Sequence, residues 1–233
     1  MKLKALTLFV GLAVAALAVQ DPLTLSRTYK EGEKDTYKML ISANLPIGTA
    51  EMSMNMTQTV KKVYDNGDAD VETLVADMKL VFGGNEMPTA ANGSPPARTQ
   101  RMDKFGRPVG TAEAGTGGMM DQMSFMRYAM FTTDKALVAG STIDVDEKNE
   151  KAGTHTWGKV KLEKIENGVA TVQSDLQMTT KQTGEKAMNL KFTSQVETAS
   201  AKLKKVDGQV TNLPAGDQGV QVDSVQISVE RLP

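Results

Sequence analysis

The stretch Thr156-Trp-Gly-Lys-Val-Lys-Leu-Glu-Lys-Ile-Glu-Asn-Gly-Val-Ala-Thr-Val-Gln-Ser-Asp-Leu-Gln-Met178 reads as one long β-hairpin, and its reading decides the fold. After Asn167-Gly168 the side chains alternate: Ala170, Val172, Leu176 and Met178 share one face, and Thr171, Gln173, Asp175 and Gln177 the other. Before the turn, Val160 and Leu162 oppose Lys159, Lys161 and Glu163. A slip of one residue exchanges the faces, so register selects the turn. A two-residue Asn-Gly loop would set Leu162 across from Gln173. A three-residue loop, Glu166-Asn167-Gly168 with Gly168 in the left-handed conformation, sets Leu162 against Val172 and Lys159 against Asp175. The three-residue loop is the expectation. The same test at Asp65-Asn66-Gly67 also favours a three-residue loop, pairing Met52 with Leu80, Met54 with Met78, Met56 with Ala76 and Lys62 with Asp70.

Outward from these hairpins, Leu23–Tyr29 and Thr36–Leu45 flank a charged turn and read as a first short hairpin. Met52-Ser53-Met54-Asn55-Met56-Thr57 alternates strictly, placing three methionines on one face. Gly83–Ala97 is rich in Gly, Pro and Asn and reads as a loop, as does the charged run Asp144–Gly153. Met119, Met123, Met126 and Met130 fall at i, i+4, i+7 and i+11, which predicts a helix over Met119–Phe131. Asp207-Gly208 reads as punctuation in the tail, and Val225, Ile227 and Val229 as a closing strand. The expected fold is therefore mainly β with one helix: a large curved antiparallel sheet of ten to twelve strands, half-barrel-like, with the helix packed on its concave face.

Residues 1–18 have the basic start, apolar run and Ala16-Leu17-Ala18 ending of a secretory signal peptide, which implies cleavage near Ala18 and a single exported β-rich domain over 19–233. The apolar run ends at Gln20-Asp21-Pro22, short of the ~20 residues a membrane span needs, so the mature form is expected not to span a membrane. Without cysteine the chain has neither a disulfide nor a lipid-attachment thiol. A net charge of −1 gives no electrostatic reason to expect nucleic acid.

A single histidine, His155, and no cysteine remove Ser-His-Asp, Cys-His and multi-histidine zinc chemistry or hang it on one residue. No Gly-rich phosphate loop lies between a strand and a helix. His155 reads as a surface residue, and Trp157 shares the outward parity of Lys159. The unusual signal is 15 methionines against 6 phenylalanines. Met52, Met54, Met56 and Met78, with Met119, Met123, Met126 and Met130 from the helix stripe, form two flexible thioether faces. Three readings stand side by side: ordinary core, the lining of a cavity for an apolar, lipid-like ligand, or a soft site for Cu(I). Alternating methionines ~7 Å apart are too widely spaced for one ion to take three of them unaided.

The segment Tyr29–Tyr37, the Asp65-Asn66-Gly67 hairpin, the Asp103-Lys-Phe-Gly turn and Val138-Ala-Gly-Ser-Thr-Ile143, in this order, resemble those of uncharacterised exported bacterial β-rich domains, over most of the mature chain. The general design is similar to that of curved-sheet-plus-helix carriers of lipoproteins or lipids. The resemblance implies a periplasmic or extracellular binding protein and carries over no site residue. The expected function is a non-catalytic exported domain that binds an apolar ligand or an envelope partner, without cofactor or metal. The alternatives are a structural envelope protein, a Cu(I)-binding Met-rich protein and a carboxylate hydrolase.

Overall fold

A computed structural model describes residues 22–88, 95–106, 109, 133, 135–150, 153–180, 183–184, 186–214 and 221–233. Its strands are β1 (Lys34–Leu45), β2 (Gly48–Val63), β3 (Ala69–Phe82), β4 (Asn85–Met87), β5 (Arg98–Met102), β6 (Thr142–Asn149), β7 (Thr154–Glu166), β8 (Val169–Thr179), β9 (Met188–Glu197), β10 (Leu203–Thr211) and β11 (Ser224–Arg231). All pair antiparallel in one open sheet, in the order β4-β3-β2-β1-β11-β10-β9-β8-β7-β6, with β5 on β3 as well. Two meanders thus run from opposite edges and join where β1 pairs β11, setting Met39 beside Val229 and Ile41 beside Ile227.

Period-two alternation accounts for the layering. In β8 and β9, Ala170, Val172, Leu176, Met178, Met188, Leu190, Phe192 and Val196 turn inward and are buried, while their neighbours reach solvent. Met39, Met52, Met54, Met56 and Val75 bury the same face of the other meander, and both sets belong to one core cluster. Burying a side chain of this size contributes about 1.5–3 kcal/mol, so this single face dominates the driving force.

The expected fold class needs correction. The described residues are all β, with no helix, so a helix on a concave face is no part of this architecture; the predicted Met119–Phe131 lies outside the described residues. The opening hairpin is also absent. Leu23–Tyr29 forms no ladder with β1 but runs as a strap between distant parts of the sheet. Leu23 N–H donates to Leu137 O, Arg27 N–H to Lys104 O and Gly32 N–H to Val60 O. Leu25 and Leu137 are fully buried in the core cluster, so part of the cover expected of a helix comes from irregular chain.

The turns divide. At Asp65-Asn66-Gly67 the three-residue loop is present: Tyr64 N–H donates to Asp68 O, Gly67 has φ +84°, and Lys62 pairs with Asp70. At the second hairpin Leu162 does pair with Val172 and Lys159 with Asp175, but the loop has two residues, Asn167 (φ +51°) and Gly168 (φ +73°), closed by Glu166 against Val169. A bulge between Leu162 and Lys164 supplies the shift of one that had been assigned to the turn. A bulge in β2 between Val60 and Lys62 likewise sets Met56 against Val75 rather than Ala76, and a bulge in β3 opposite Ser53–Asn55 restores the register, so that Met52 pairs with Leu80. Asp77 sits there at φ +53° and accepts a 2.7 Å hydrogen bond from Asn55 Nδ2. Three further readings fall: Gly83–Ala97 contains β4, Asp144–Asn149 belongs to β6, and Asp207-Gly208 lies inside β10.

One end of the sheet is pinned by charge. Asp35 lies 3.8 Å from Arg27, 3.2 Å from Lys202 and 3.8 Å from Arg231. Lys202 also pairs with Glu33 at 2.5 Å, and Arg231 with Glu197. Three cations against three carboxylates leave no net charge in this little-exposed cluster, which is what its partial burial requires. It ties the strap to β1, β11 and the β9–β10 turn.

Candidate functional site

The face turned away from the core carries one unbroken row of paired positions across nine strands. In order they are Asp144, Lys159, Asp175, Lys191, Gln209, Gln226, Ser42, Glu51 and Val81. The row divides in two. From β6 to β9 the charges alternate in sign, with Lys159 Nζ 2.9 Å from Asp144 Oδ1 and Lys191 Nζ 3.5 Å from Asp175 Oδ2. The hydrogen bond from Lys159 holds the Asp144 carboxyl below the usual carboxylate range. This half spends its charges on itself.

From β10 to β3 the chemistry changes. A parallel row, Asp207, Ser228, Leu40, Ser53 and Lys79, lies beside Gln209, Gln226, Ser42, Glu51 and Val81. Together they line a trough of about 550 Å³, within the 300–1,000 Å³ range of ligand sites. Ile41, Met52, Gly208 and Ile227 border it from the intervening, inward-facing positions. Five strands at about 4.8 Å spacing make the trough roughly 19 Å across.

Its polar groups differ in their commitments. Asp207 is satisfied, accepting 2.8 Å from Ser228 Oγ and pairing with Lys205 at 2.9 Å. Burial pushes its carboxyl up, yet Lys205 and Ser228 bring it below the ordinary value. Ser42, Glu51, Ser53, Lys79, Gln209 and Gln226, by contrast, have no side-chain partner among the described residues. Leu40, near the middle, is exposed to about the same degree as Leu74 and Met87 elsewhere on the sheet, and is the large aliphatic group nearest the centre of the trough.

The methionine face lies on the other side of the sheet. Met52, Met54 and Met56 are brought together in the core, 3–7% exposed, with Met39 beside them and Met78 packed against the cluster from a partly buried position. Met119, Met123, Met126 and Met130 lie outside the described residues. His155 is a surface residue, its Nε2 2.7 Å from Asp146 Oδ1 and its ring 4.6 Å from that of Trp157. Among the described residues, no group of three or more His, Cys, Asp or Glu could hold a metal ion. No helix there is long and apolar enough to cross a membrane.

Sequence reasoning missed the trough, because each of its residues reads singly as the wet side of an alternating strand. Only the order of strands brings Gln209 and Gln226 to Ser42 and Glu51. Composition gives no signal either: the wet positions of β8 and β9 are also mostly amides and hydroxyls, among them Thr171, Gln173, Gln177, Asn189, Thr193 and Gln195.

No family model matches the chain, and no curated protein does. Among solved structures it is similar to DynF from the dynemicin biosynthesis pathway of Micromonospora chersina, at 9% identity over 93% of this chain and 86% of that one, with a TM-score of 0.24. At that score the likeness has no bearing on activity or ligand.

Proposed function

We propose that the protein is a non-catalytic exported binding domain whose ligand or envelope partner lies in the trough across β10, β11, β1, β2 and β3. The observation that carries this is the division of one row: charges neutralised within the protein on one half, and polar groups without partners among the described residues around a concave surface on the other. A surface whose polar groups lack protein partners can exchange water for a ligand without breaking internal bonds. Leu40 and Val81 supply apolar contact within it.

A second reading is favoured by Met39, Met52, Met54, Met56, Met178 and Met188 within one core cluster. Such a core is soft enough to yield to a lipid-like molecule. Met54→Leu conserves volume and should cost under ~1.5 kcal/mol. On this reading it would also weaken uptake of a long-chain fluorescent lipid several-fold.

The test is native mass spectrometry of the protein recovered from its exporting host, wild type beside Leu40→Lys. Retention of a bound species by the wild type and its loss from the variant supports the trough. A species retained equally by both places binding elsewhere, and a bare wild type opposes the proposal.

A further inference from the structure

The trough's chemistry narrows its occupant, and this step rests on the reading of the trough as the binding face. Three occupants compete. A bare acyl chain would leave Ser42, Ser53, Gln209 and Gln226 desolvated and unpaired, at a cost of about 1–3 kcal/mol for each buried group. A saccharide is usually met by an aromatic platform, and none of the lining residues is aromatic. A polypeptide main chain offers donors and acceptors in turn, and Gln and Ser side chains can both donate and accept.

Size and charge add to this. At 3.3 Å per residue, roughly 19 Å holds about six residues of extended chain running across the strands. At one end Gln209, Gln226 and Ser42 carry no charge and the Asp207 carboxylate is answered by Lys205, Leu40 offers apolar contact near the middle, and Glu51 and Lys79, unpaired among the described residues, stand as opposite charges at the end over β2 and β3. The outer-face pairs Ser42–Glu51 and Ser53–Lys79 place these two charges on neighbouring strands.

We infer that the trough takes an extended segment of a partner polypeptide, about six residues long, with neutral polar residues over β10 and β11, an apolar residue against Leu40, and a basic and an acidic group answering Glu51 and Lys79. The contact differs from addition of a strand to a sheet edge: the segment lies on the face and crosses the strands.

The test is selection of a random 12-residue peptide library on the purified protein. Enriched peptides should carry a base and an acid close together at one end. They should bind Leu40→Lys at least tenfold more weakly and bind Lys191→Ala as they bind wild type. Selection on Glu51→Lys should replace the basic residue by an acidic one. Superimposable far-UV circular dichroism melts of wild type and Leu40→Lys confirm that the variant is folded. Enrichment of peptides indifferent to Leu40→Lys and Glu51→Lys, or no enrichment, overturns the inference. Vesicles of phosphatidylethanolamine and phosphatidylglycerol are the comparison arm. If vesicles bind wild type but not Leu40→Lys while no peptide enriches, the trough remains the binding face and only its occupant was misassigned. If neither probe is sensitive to Leu40→Lys, the binding face itself is lost.

Discussion

The β6–β9 half and the β10–β3 half of the outer face share backbone, register and sheet, and differ only in what their side chains do for one another. In the first, Asp144, Lys159, Asp175 and Lys191 form a ladder that needs nothing from outside. In the second, Glu51 and Lys79 have no ion-pair partner among the described residues, and the internal bonds of the trough join Asp207 to Ser228 and Lys205. The lesson is that polarity is a poor guide to function on a sheet face; whether the polar groups are already engaged is the better one.

The largest effects should come from the glycines that let each half form. Gly158, inside the ladder half, has φ +142°, and a Cβ there would stand 2.3 Å from Asp175 O, which is main chain and cannot swing away. Gly158→Ala should therefore cost more than about 3 kcal/mol by chemical denaturation. Gly208, at the trough, is hemmed by the Phe192 ring at 2.0 Å and Lys191 O at 2.8 Å. Gly208→Ala should cost about 1–3 kcal/mol and be partly restored by Phe192→Leu, since a ring can be exchanged where a carbonyl cannot. Equal, unrescued losses would mean that the two halves are held by the same constraint.

Next comes the buried charge cluster, which belongs to neither half but holds the seam between them. Asp35→Asn leaves Arg27, Lys202 and Arg231 facing one another with less compensation and should cost about 2–3 kcal/mol. Within the same cluster the hydrogen bond from Arg231 holds the Glu197 carboxyl below its ordinary value of 4.5. A depressed folded-state value stabilises above about pH 4.5, and this contribution is lost as the pH falls through the folded value. The melting temperatures of wild type and Glu197→Gln should accordingly differ at pH 7, and the gap should close as the pH falls below 4.5 and through the folded-state value. A gap that persists in acid would assign the difference to packing.

The smallest effect belongs to the ladder itself. Lys159→Ala should leave the denaturation midpoint almost unchanged, and any small difference should vanish in high salt, because both partners are well exposed. A larger, salt-independent loss would show that the ladder is more than a solvated structural surface.

Much of the fold was legible in the chain. Alternation at Ala170–Met178 and Met52–Met56 gave the buried faces, and register gave Leu162 against Val172, because only one pairing keeps apolar residues together. What escaped is what alternation does not encode. A bulge between Leu162 and Lys164 and a three-residue turn displace the distant register equally, so the hairpin's far end could not tell them apart. Ser174 falls on the inner face, is buried, and its hydroxyl has no partner among the described residues, a cost that no periodicity announces. Leu23–Tyr29 has β-favouring residues but its partners lie at Leu137 and Lys104, far along the chain. The trough was illegible for the same reason: its two rows are drawn from five strands between Leu40 and Ser228, and only the β1–β11 pairing joins them.

The central claim, that one half of the outer row is self-sufficient and the other is kept for a ligand, is tested most directly by amide chemical-shift mapping of the ¹⁵N-labelled protein titrated with the peptide most strongly enriched from the 12-residue library. The account predicts saturable shifts at Leu40, Ser42, Glu51, Ser53, Gln209, Gln226 and Ser228, with Asp144, Lys159, Asp175 and Lys191 unmoved. Shifts centred on the ladder, or none along the row, would contradict it.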